Sequence, residues 1–310
     1  MKLIKPYFEL IEQQPGEIGM LKHIETCGRV AWKSEDKITD DSYVKFIDML
    51  KGVNHGSVLE HGTVYLVVHE NSMTISKYQY NKYSVVATSN DENDENYYIT
   101  TNYRVLVENN WLDDLKYQCE PTEFHEKRVT IRLVIDRGVS HEFVRHRTFS
   151  FTQESTRYCN YSKDKFGNEL TFIEPLWLNR DNLIGWYNIN NEYAIYQNNT
   201  DSKFPNVIYE QEIEYIDEET NIKTPWSAED WYIYSLRLSE LAYVKALEQG
   251  WKAQQARAIL PNSLKTELIM TGFISDWKHF FHLRCAPGAH PQAQEIAIPL
   301  EQEFRHLGLL

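Results

Sequence analysis

The sequence lacks any long run of apolar residues. No stretch approaches the roughly 18–20 apolar residues that a helix needs to cross a bilayer. Its first residues, MKLIKPYFELIEQQPGE, contain acids and no apolar segment of signal-peptide length, so we expect no export signal. Hydrophobic residues make up 42% of the chain and charged residues 25%, which is typical of a soluble globular protein. The 310 residues are enough for one large domain or two small ones.

Paired cysteines are also absent. The four cysteines stand far apart, and none forms the C-x-x-C spacing of a zinc ribbon or a redox dithiol: Cys27, Cys119, Cys159 and Cys285. We interpret them as reduced and mostly structural thiols. Reduced thiols are typical of a cytoplasmic protein, and we therefore expect that location.

Basic residues are scarce relative to acids. The chain has 32 Lys and Arg against 45 Asp and Glu, which gives a net charge of −13 at pH 7. Such a chain repels the phosphates of a nucleic acid, so a role in coating DNA or RNA is disfavoured. Arg145, Arg147 and Arg157 nevertheless lie close together, with His141 and His146 beside them. A local positive site in an acidic protein suits a small anionic ligand better than a polymer.

The sequence has no internal repeat, and its apolar periodicity predicts helices mixed with strands. Predicted helices span residues 17–33, 40–52, 139–147, 227–250, 252–259, 275–285 and 291–306, and predicted strands span 63–68, 97–107 and 129–136. Ser227 and Ser275 are the predicted caps of two of these helices, and Asp230 stands at the N3 position of a capping box with Ser227. The predicted apolar face of helix 227–250 consists of residues 231, 234, 238, 241, 244 and 247. The order of elements predicts an α+β fold with mixed α/β layers.

The segment that most suggests a function is RHRTFSFTQESTRY, residues 145–158. Its three arginines, Arg145, Arg147 and Arg157, can bind phosphate or carboxylate oxygens through paired hydrogen bonds and keep their charge. Aromatic residues alternate with them, as in a strand with one packed face: Phe149, Phe151 and Tyr158. Arginines taken alone would more often pair with the surplus acids of such a chain. The complete pattern instead predicts recognition of a phosphorylated nucleotide.

This segment resembles the signature of the flavin-dependent thymidylate synthases, in which Arg-His-Arg is followed by seven residues and a serine. Here the triplet is Arg145-His146-Arg147, the next residues are TFSFTQE, and the serine is Ser155, followed by Arg157. Three other segments resemble the family in the same order: VLEHGTVYLVV (58–68), QQARAILPNSL (254–264) and TGFISDWKHFFHLRC (271–285). HPQAQEIA (290–297) resembles the helix that closes the family pattern.

The resemblance covers residues 50–69, 126–160 and 227–300, and implies a single flavin-dependent thymidylate synthase domain over 1–310. The stretches 70–125 and 160–226 look like insertions into it. The implied reaction is the reductive methylation of dUMP to dTMP, with 5,10-methylenetetrahydrofolate as carbon donor, FAD as hydride carrier and NADPH as reductant. In such a reaction the cofactor supplies the difficult chemistry, and the protein positions and polarises the substrate. The family also implies a homotetramer with shared active sites.

The resemblance assigns roles to individual residues. Those implied in flavin binding are His61, Thr63, Arg145, His146, Arg147, Gln153 and His279. Those implied in dUMP binding are Glu142, Arg145, Gln153, Ser155, Arg157, Arg257 and Arg284. Arg284 and Ser155 are implied in catalysis, because Arg284 favours negative charge on the uracil ring and Ser155 orients it. The chain departs from the residues common in the family at three positions: Glu142 for Gln, Gln153 for Glu, and His279 for Asn.

Two other functions are open from the sequence. The arginine–aromatic segment could belong to a nucleotide-binding or nucleic-acid-binding module without catalysis, in which it grips phosphates and stacks bases. The net charge disfavours a polymer ligand. A metalloenzyme is the second alternative, because the histidines include His55, His61 and His69. Their spacing does not match the helical pairs of a typical metal site, so no metal is expected.

Overall fold

The computed structural model describes residues 1–53, 56–70, 72–91, 93–163, 166–167, 169–183, 214–216 and 223–310. The strands are β1 (Lys2–Ile4), β2 (Tyr7–Ile11), β3 (Thr63–His69), β4 (Val85–Thr88), β5 (Asn96–Asn102), β6 (Arg128–Asp136), β7 (Ser150–Gln153), β8 (Thr171–Ile173), β9 (Glu214–Ile216), β10 (Lys223–Pro225) and β11 (Lys265–Phe273). The helices are α1 (Gly16–Arg29), α2 (Ser42–Gly52), α3 (Gly56–Leu59), α4 (Thr74–Gln79), α5 (Tyr103–Glu108), α6 (Arg137–Phe143), α7 (Ala228–Glu248), α8 (Ala253–Ala256), α9 (Ile274–Arg284) and α10 (Pro291–His306). This combination of helices and mainly antiparallel strands confirms the predicted α+β class.

A four-stranded antiparallel sheet in the order β2-β6-β11-β7 forms the larger core. Strands β6 and β11 pair along their whole length, from Asp136 opposite Lys265 to Arg128 opposite Phe273. On its other edge β11 pairs with β7, where Gln153 lies opposite Leu268. Apolar side chains of β6 pack in one cluster with those of α9 and α10. The cluster contains Val129, Ile131 and Leu133 of β6, Trp277 and Phe280 of α9, and Ile296, Leu300 and Phe304 of α10. The sheet thereby fixes β7, the strand inside the arginine–aromatic segment.

Strand β11 was not among the predicted strands, and the start of α9 differs from the predicted start. The helix begins at Ile274, and Phe273 is its N-cap residue. The Asp276 side chain accepts a hydrogen bond from the Phe273 backbone N–H at 3.0 Å. Ser275 is therefore not the cap. Its backbone N–H donates instead to the Glu126 carboxylate at 2.9 Å, which ties the helix start to the residues before β6.

Residues 70–125 contribute to a second core. Strand β5 pairs with β3 on one edge and with β4 on the other, in a three-stranded antiparallel sheet of order β3-β5-β4. Buried Tyr78, Ile99 and Leu106 from this stretch pack in the same cluster as Leu66 of β3 and Leu50 of α2. The stretch thus supplies two of the three strands of this sheet.

The predicted strand 97–107 is correct only in its first part. Strand β5 ends at Asn102, and helix α5 begins at Tyr103. The Asn102 side chain accepts a hydrogen bond from the Val105 backbone N–H at 3.2 Å, which caps the helix. Asn is a favoured N-cap residue because its side-chain oxygen satisfies a backbone donor that has no partner within the helix. The chain therefore changes direction inside the apolar run.

Helix α7 confirms the predicted capping box but buries a different face. Ser227 and Asp230 exchange the predicted hydrogen bonds, with the Asp230 N–H donating to Ser227 Oγ at 3.1 Å. The buried apolar residues are Ile233, Leu236 and Tyr243. The predicted face is largely exposed, because three of its members face outward: Trp231, Leu238 and Leu241. Most of the predicted insertion 160–226 lies outside the described residues, although β8 pairs in parallel with β1.

Candidate active site

The arginine–aromatic segment lies between α6 and the turn after β7. His146 and Phe149 are buried, while Arg145 and Arg147 are exposed. The predicted packed face is only partly present, because Phe151 is half-buried and Tyr158 is exposed. The Phe149 ring packs edge-on against the Trp277 ring of α9, with centroids 4.7 Å apart. This contact anchors the segment to the core and leaves the two guanidinium groups at the surface.

Helix α9 brings Arg284 to this segment. Arg284 Nη1 donates to the Glu142 carboxylate at 2.6 Å, and Nη2 donates to the Glu142 backbone carbonyl at 2.6 Å. Its Nε donates to His146 Nε2 at 2.9 Å. The exposed ring of His279 lies 6.3 Å from the His146 ring, centroid to centroid. The structure therefore brings together four residues of the predicted site: Glu142, His146, His279 and Arg284.

The Arg284 contact fixes the protonation state of His146. Burial of the ring, followed by the nearby Arg284 charge, lowers the pKa of His146 to about 4. The ring is therefore neutral near pH 7, with a lone pair on Nε2 that accepts from Arg284. Nη1 and Nη2 of Arg284 each make one hydrogen bond, both to Glu142, so each nitrogen has a second hydrogen beyond these contacts. The guanidinium is held in a defined orientation before any ligand binds.

Gln153 and Ser155 lie at the end of β7. The Gln153 side-chain amide donates to Ser140 Oγ of α6 at 2.8 Å and to Thr266 Oγ1 of β11 at 3.2 Å. Ser155 is half-buried, and its Oγ accepts from the Arg157 backbone N–H at 3.3 Å. Its own backbone N–H donates to the Ala31 carbonyl at 3.1 Å. Both side chains are thus placed by hydrogen bonds to neighbouring elements.

Four of the predicted ligand-binding arginines form no ion pair within the described part of the chain: Arg145, Arg147, Arg157 and Arg257. All four are exposed. Six other arginines pair with carboxylates, as expected for an acidic protein: Arg29, Arg104, Arg132, Arg180, Arg284 and Arg305. Unlike those six, these four guanidinium groups have no carboxylate partner among the described residues. Arg257 begins a short 3-10 helix, Arg257–Ile259, and no described contact links it to Arg157 or Arg284.

His61 and Thr63 lie in the interior. His61 has no exposed surface, and its two ring nitrogens lie 2.7 Å from Thr271 Oγ1 and 2.9 Å from Thr152 Oγ1. Burial holds the pKa of His61 well below its usual range, so the ring is neutral. In this arrangement both ring nitrogens contact hydroxyl groups on two neighbouring strands of the four-stranded sheet, β11 and β7, and the flavin contact of His61 stays a prediction. Thr63 is also buried, and its Oγ1 accepts from Arg128 Nη1 at 3.3 Å.

Sequence reasoning missed Arg128, which connects two of the predicted segments. Its guanidinium donates to the Glu60 carbonyl at 3.0 Å and to Ser150 Oγ at 3.1 Å, as well as to Thr63. Burial lowers the pKa of Arg128 to about 10. An arginine within the apolar strand RVTIRLVID is the signal that could have drawn attention to it. It joins the residues after α3 to the start of β7.

Comparison with known proteins agrees with these motifs. The profile of the family described as "Thymidylate synthase complementing protein" matches residues 76–307. The chain belongs to this family. The match includes every predicted site residue except His61 and Thr63, and it includes most of the stretch 70–125.

Relatives of the thymidylate synthase complementing protein family share limited identity with this chain. One is the probable flavin-dependent thymidylate synthase of Paramecium bursaria Chlorella virus 1, 25% identical over 181 residues, which cover 58% of this chain and 68% of the relative. Another is the flavin-dependent thymidylate synthase of Pyrococcus furiosus, 26% identical over 168 residues, which cover 54% and 50%. The alignments thus span about two thirds of the viral protein and about half of the archaeal one.

Among solved structures, a UMP/dUMP methylase PolB from Streptomyces cacaoi, bound with 5-Br UMP, is similar over 99% of this chain and 92% of its own. The identity is 15% and the TM-score 0.40. 

Three of the four cysteines of this family member are poor nucleophiles. None forms a disulfide, and Cys27 and Cys159 are buried. Burial raises the pKa of Cys27 and of Cys119, and burial together with a hydrogen bond to Glu301 raises the pKa of Cys285 to about 12. A thiol must lose its proton to attack a substrate, so these three are unsuited to that role near pH 7.

Within the described ranges, no helix is both long enough and apolar enough to cross a membrane. No group of three or more His, Cys, Asp or Glu side chains in those ranges is arranged to hold a metal ion. Of the three histidines considered for a metal site, His61 is committed to two threonines, His69 lies 2.7 Å from the Glu95 carboxylate, and His55 is outside the described residues.

Proposed function

We propose that this chain is a flavin-dependent thymidylate synthase that converts dUMP to dTMP. Its co-substrates would be 5,10-methylenetetrahydrofolate and NADPH, and its cofactor FAD. The observation that carries the proposal is the arginine–aromatic segment, in which exposed Arg145 and Arg147, without a carboxylate partner among the described residues, flank the His146 that contacts Arg284. Family membership supports the same reading. With its reduced thiols, we propose a cytoplasmic enzyme.

The donor set fits a flavin dinucleotide and a nucleotide monophosphate, because both ligands carry phosphates. Exposed guanidinium groups bind phosphate oxygens through paired hydrogen bonds. Arg145, Arg147 and the neighbouring His146 would hold FAD, and Gln153 and His279 would border it. When bound, FAD supplies the hydride chemistry that no side chain provides. Arg157 and Arg257 would hold the phosphate and sugar of dUMP.

The chain's own residues would bind and polarise the uracil ring. Arg284, oriented by Glu142 and His146, would donate its remaining hydrogens to O2 and favour negative charge at N3. That charge makes C5 of the ring more nucleophilic. One well-placed donor of this kind lowers the activation barrier by about 3–4 kcal/mol. Ser155 would orient the ring through its hydroxyl. We further propose a homotetramer in which neighbouring subunits complete each site.

The decisive test is a direct assay of the purified chain. It should form dTMP from dUMP and 5,10-methylenetetrahydrofolate when NADPH and FAD are present, and no dTMP when FAD is removed. Arg284→Ala should lower turnover by about a hundredfold or more, as expected when one electrostatic donor is lost. Turnover within a few-fold of the unmodified chain would refute this role for Arg284. A colourless protein that binds dUMP but forms no dTMP would instead support a non-catalytic nucleotide-binding module.

A further inference from the structure

A buried network of charged residues lies beneath the end of β7. We call it the Glu154 network, and its members are Glu154, Tyr161, Lys265, Glu267, Lys33 and Arg132. The Glu154 carboxylate accepts from Tyr161 Oη at 2.7 Å and from Lys265 Nζ at 2.7 Å. Lys265 also donates to Glu267 at 2.6 Å. The Glu154 side chain is only 1% exposed, so this carboxylate is removed from solvent.

Glu267 collects the remaining cations of the network. Lys33 donates to its carboxylate, and Arg132 donates through Nε at 2.9 Å. Burial alone would raise the pKa of Glu267, but the adjacent Lys265 and Lys33 ammonium groups lower it to about 2. Glu267 is therefore charged near pH 7, and the network connects the end of β7, β11, β6 and the residues after α1.

The network holds the backbone that leads into Ser155 and Arg157. The Glu154 backbone N–H donates to the Glu267 carbonyl at 2.8 Å, and the Ser155 N–H donates to the Ala31 carbonyl at 3.1 Å. Lys33 lies two residues after Ala31, in a left-handed conformation with φ 48°. The side-chain contacts and the backbone contacts thus both connect the end of β7, next to Ser155, with the turn after α1.

Such a network is a costly way to stabilise a core. Removing two opposite charges from water offsets most of their attraction, and apolar residues of similar size are often at least as stabilising. What an ion network provides is direction, because each hydrogen bond fixes the position of its partners. Its place beneath Ser155 therefore points to a requirement for defined geometry there.

We infer that Glu154 is a positioning residue for nucleotide binding. Its carboxylate fixes the end of β7 so that Ser155 and Arg157 are held at the spacing that dUMP requires, although Glu154 itself touches no ligand. The inference rests on the proposed function, in which Arg157 holds the phosphate. It explains why a carboxylate next to Gln153 is turned inward to Lys265 and Tyr161 rather than used in the site.

The test compares dUMP with deoxyuridine, which lacks the phosphate. Glu154→Gln keeps the size of the side chain but removes its charge. The preference for dUMP, measured as the ratio of the two inhibition or dissociation constants, should fall about tenfold, as when one charge-assisted phosphate contact is misplaced. Glu9→Gln is the matched control, because it removes a carboxylate from the exposed end of the same network, where Glu9 accepts from Arg132 at 3.1 Å. Its ratio should stay within about twofold of the unmodified chain.

The outcomes separate positioning from general destabilisation. An equal loss of affinity for both ligands in Glu154→Gln, or no loss for either, would overturn the inference. If that variant does not fold, Tyr161→Phe removes a single donor to the same carboxylate and should lower the ratio about threefold; an unchanged ratio would count against the inference equally. An unmodified chain that bound neither ligand would overturn the proposed function as well, whereas dUMP binding with an unaltered Glu154→Gln ratio overturns this inference alone.

Discussion

At the scale of single residues, Glu142 sets the charge of the candidate site. It stands where the family commonly has glutamine, and its carboxylate contacts Arg284 Nη1 at 2.6 Å. The pair is partly exposed, with 17% exposure for the Arg284 side chain and 34% for Glu142. The positive charge of Arg284 is therefore compensated before a nucleotide arrives. This chain would bind an anionic substrate with less electrostatic attraction than a relative with glutamine there.

Glu142→Gln should therefore tighten dUMP binding. The variant keeps the hydrogen bond that Arg284 Nη2 donates to the backbone carbonyl of residue 142, but it removes one negative charge beside Arg284. We expect about fivefold tighter binding at low salt, equivalent to about 1 kcal/mol, with the gain largely lost at high salt. Titration calorimetry at two salt concentrations measures this. Glu301→Gln, which also removes one carboxylate, is the control for net charge alone. Weaker binding of Glu142→Gln at low salt would show that Glu142 instead serves to orient Arg284.

His61 supports a second prediction at this scale. Its ring bridges Thr271 of β11 and Thr152 of β7 without access to solvent. His61→Ala should lower the free energy of unfolding by about 2–4 kcal/mol, because it leaves a cavity and two buried hydroxyl groups without their partner. Denaturant unfolding measures the loss. If His61→Ala were as stable as the unmodified chain but lost its bound flavin, the result would instead support the direct flavin contact that the family resemblance implies.

At the scale of elements, helices were predicted better than strands. Helices α2, α7 and α10 have local signals, such as the Ser227–Asp230 capping box and the proline at the start of α10. Strand β11, KTELIMTGF, has no such signal, since buried polar residues interrupt its apolar pattern. Glu267 pairs with Lys33 and Arg132, and Thr271 with His61, all distant in sequence. Only the fold reveals why those positions are polar.

The candidate site shows the same division. Glu142, His146 and Arg284 come together as the motif predicted, because α6 and α9 pack on one sheet. The face of α7 was not predictable, because apolar residues lie on more than one side of that helix and only packing selects Ile233 and Leu236 over the others. Arg128 and the Glu154 network were missed for the reason that applies to β11, namely that their partners lie far away along the chain.

Gly272 on β11 gives a prediction about an element as a whole. A Cβ atom there would lie 2.6 Å from the Phe149 ring, which anchors the arginine–aromatic segment. Gly272→Ala should lower the free energy of unfolding by about 1–3 kcal/mol, because the ring must move in a packed core. It should also weaken nucleotide binding. Gly52→Ala is the matched control, since nothing lies within 4 Å of its Cβ. Its stability should be unchanged or slightly raised. Equal stability of the two variants would contradict the close approach at Gly272.

At the scale of the whole molecule, neutral histidines are part of both cores and of the link between them. Burial and the nearby Arg128 charge lower the pKa of His23 to about 4, and burial and Arg284 lower that of His146 to about 4. Burial also lowers the pKa of His61. In the unfolded chain all three titrate near their usual value of about 6.5. The unfolded state therefore binds protons at a higher pH than the folded state does.

This difference predicts how stability depends on pH. The stabilisation is fully present above about pH 6.5 and is lost as the pH falls toward 4, by up to about 3 kcal/mol for each of His23 and His146. Glu267 acts at lower pH, because its depressed pKa gives stability that is lost only as the pH falls from about 4.5 toward 2. Urea unfolding at about pH 7, 5.5 and 4.5 should thus show a steady decline before the carboxylates titrate. In His23→Gln, the free energy of unfolding should fall less between about pH 7 and 4.5 than it does in the unmodified chain. In His306→Gln, at an exposed position, it should fall by the same amount as in the unmodified chain. If the free energy of unfolding did not change between about pH 7 and 4.5, the folded chain would take up protons as readily as the unfolded chain. His146 would then not stay neutral in the folded state, and the orientation of Arg284 that depends on it would be lost.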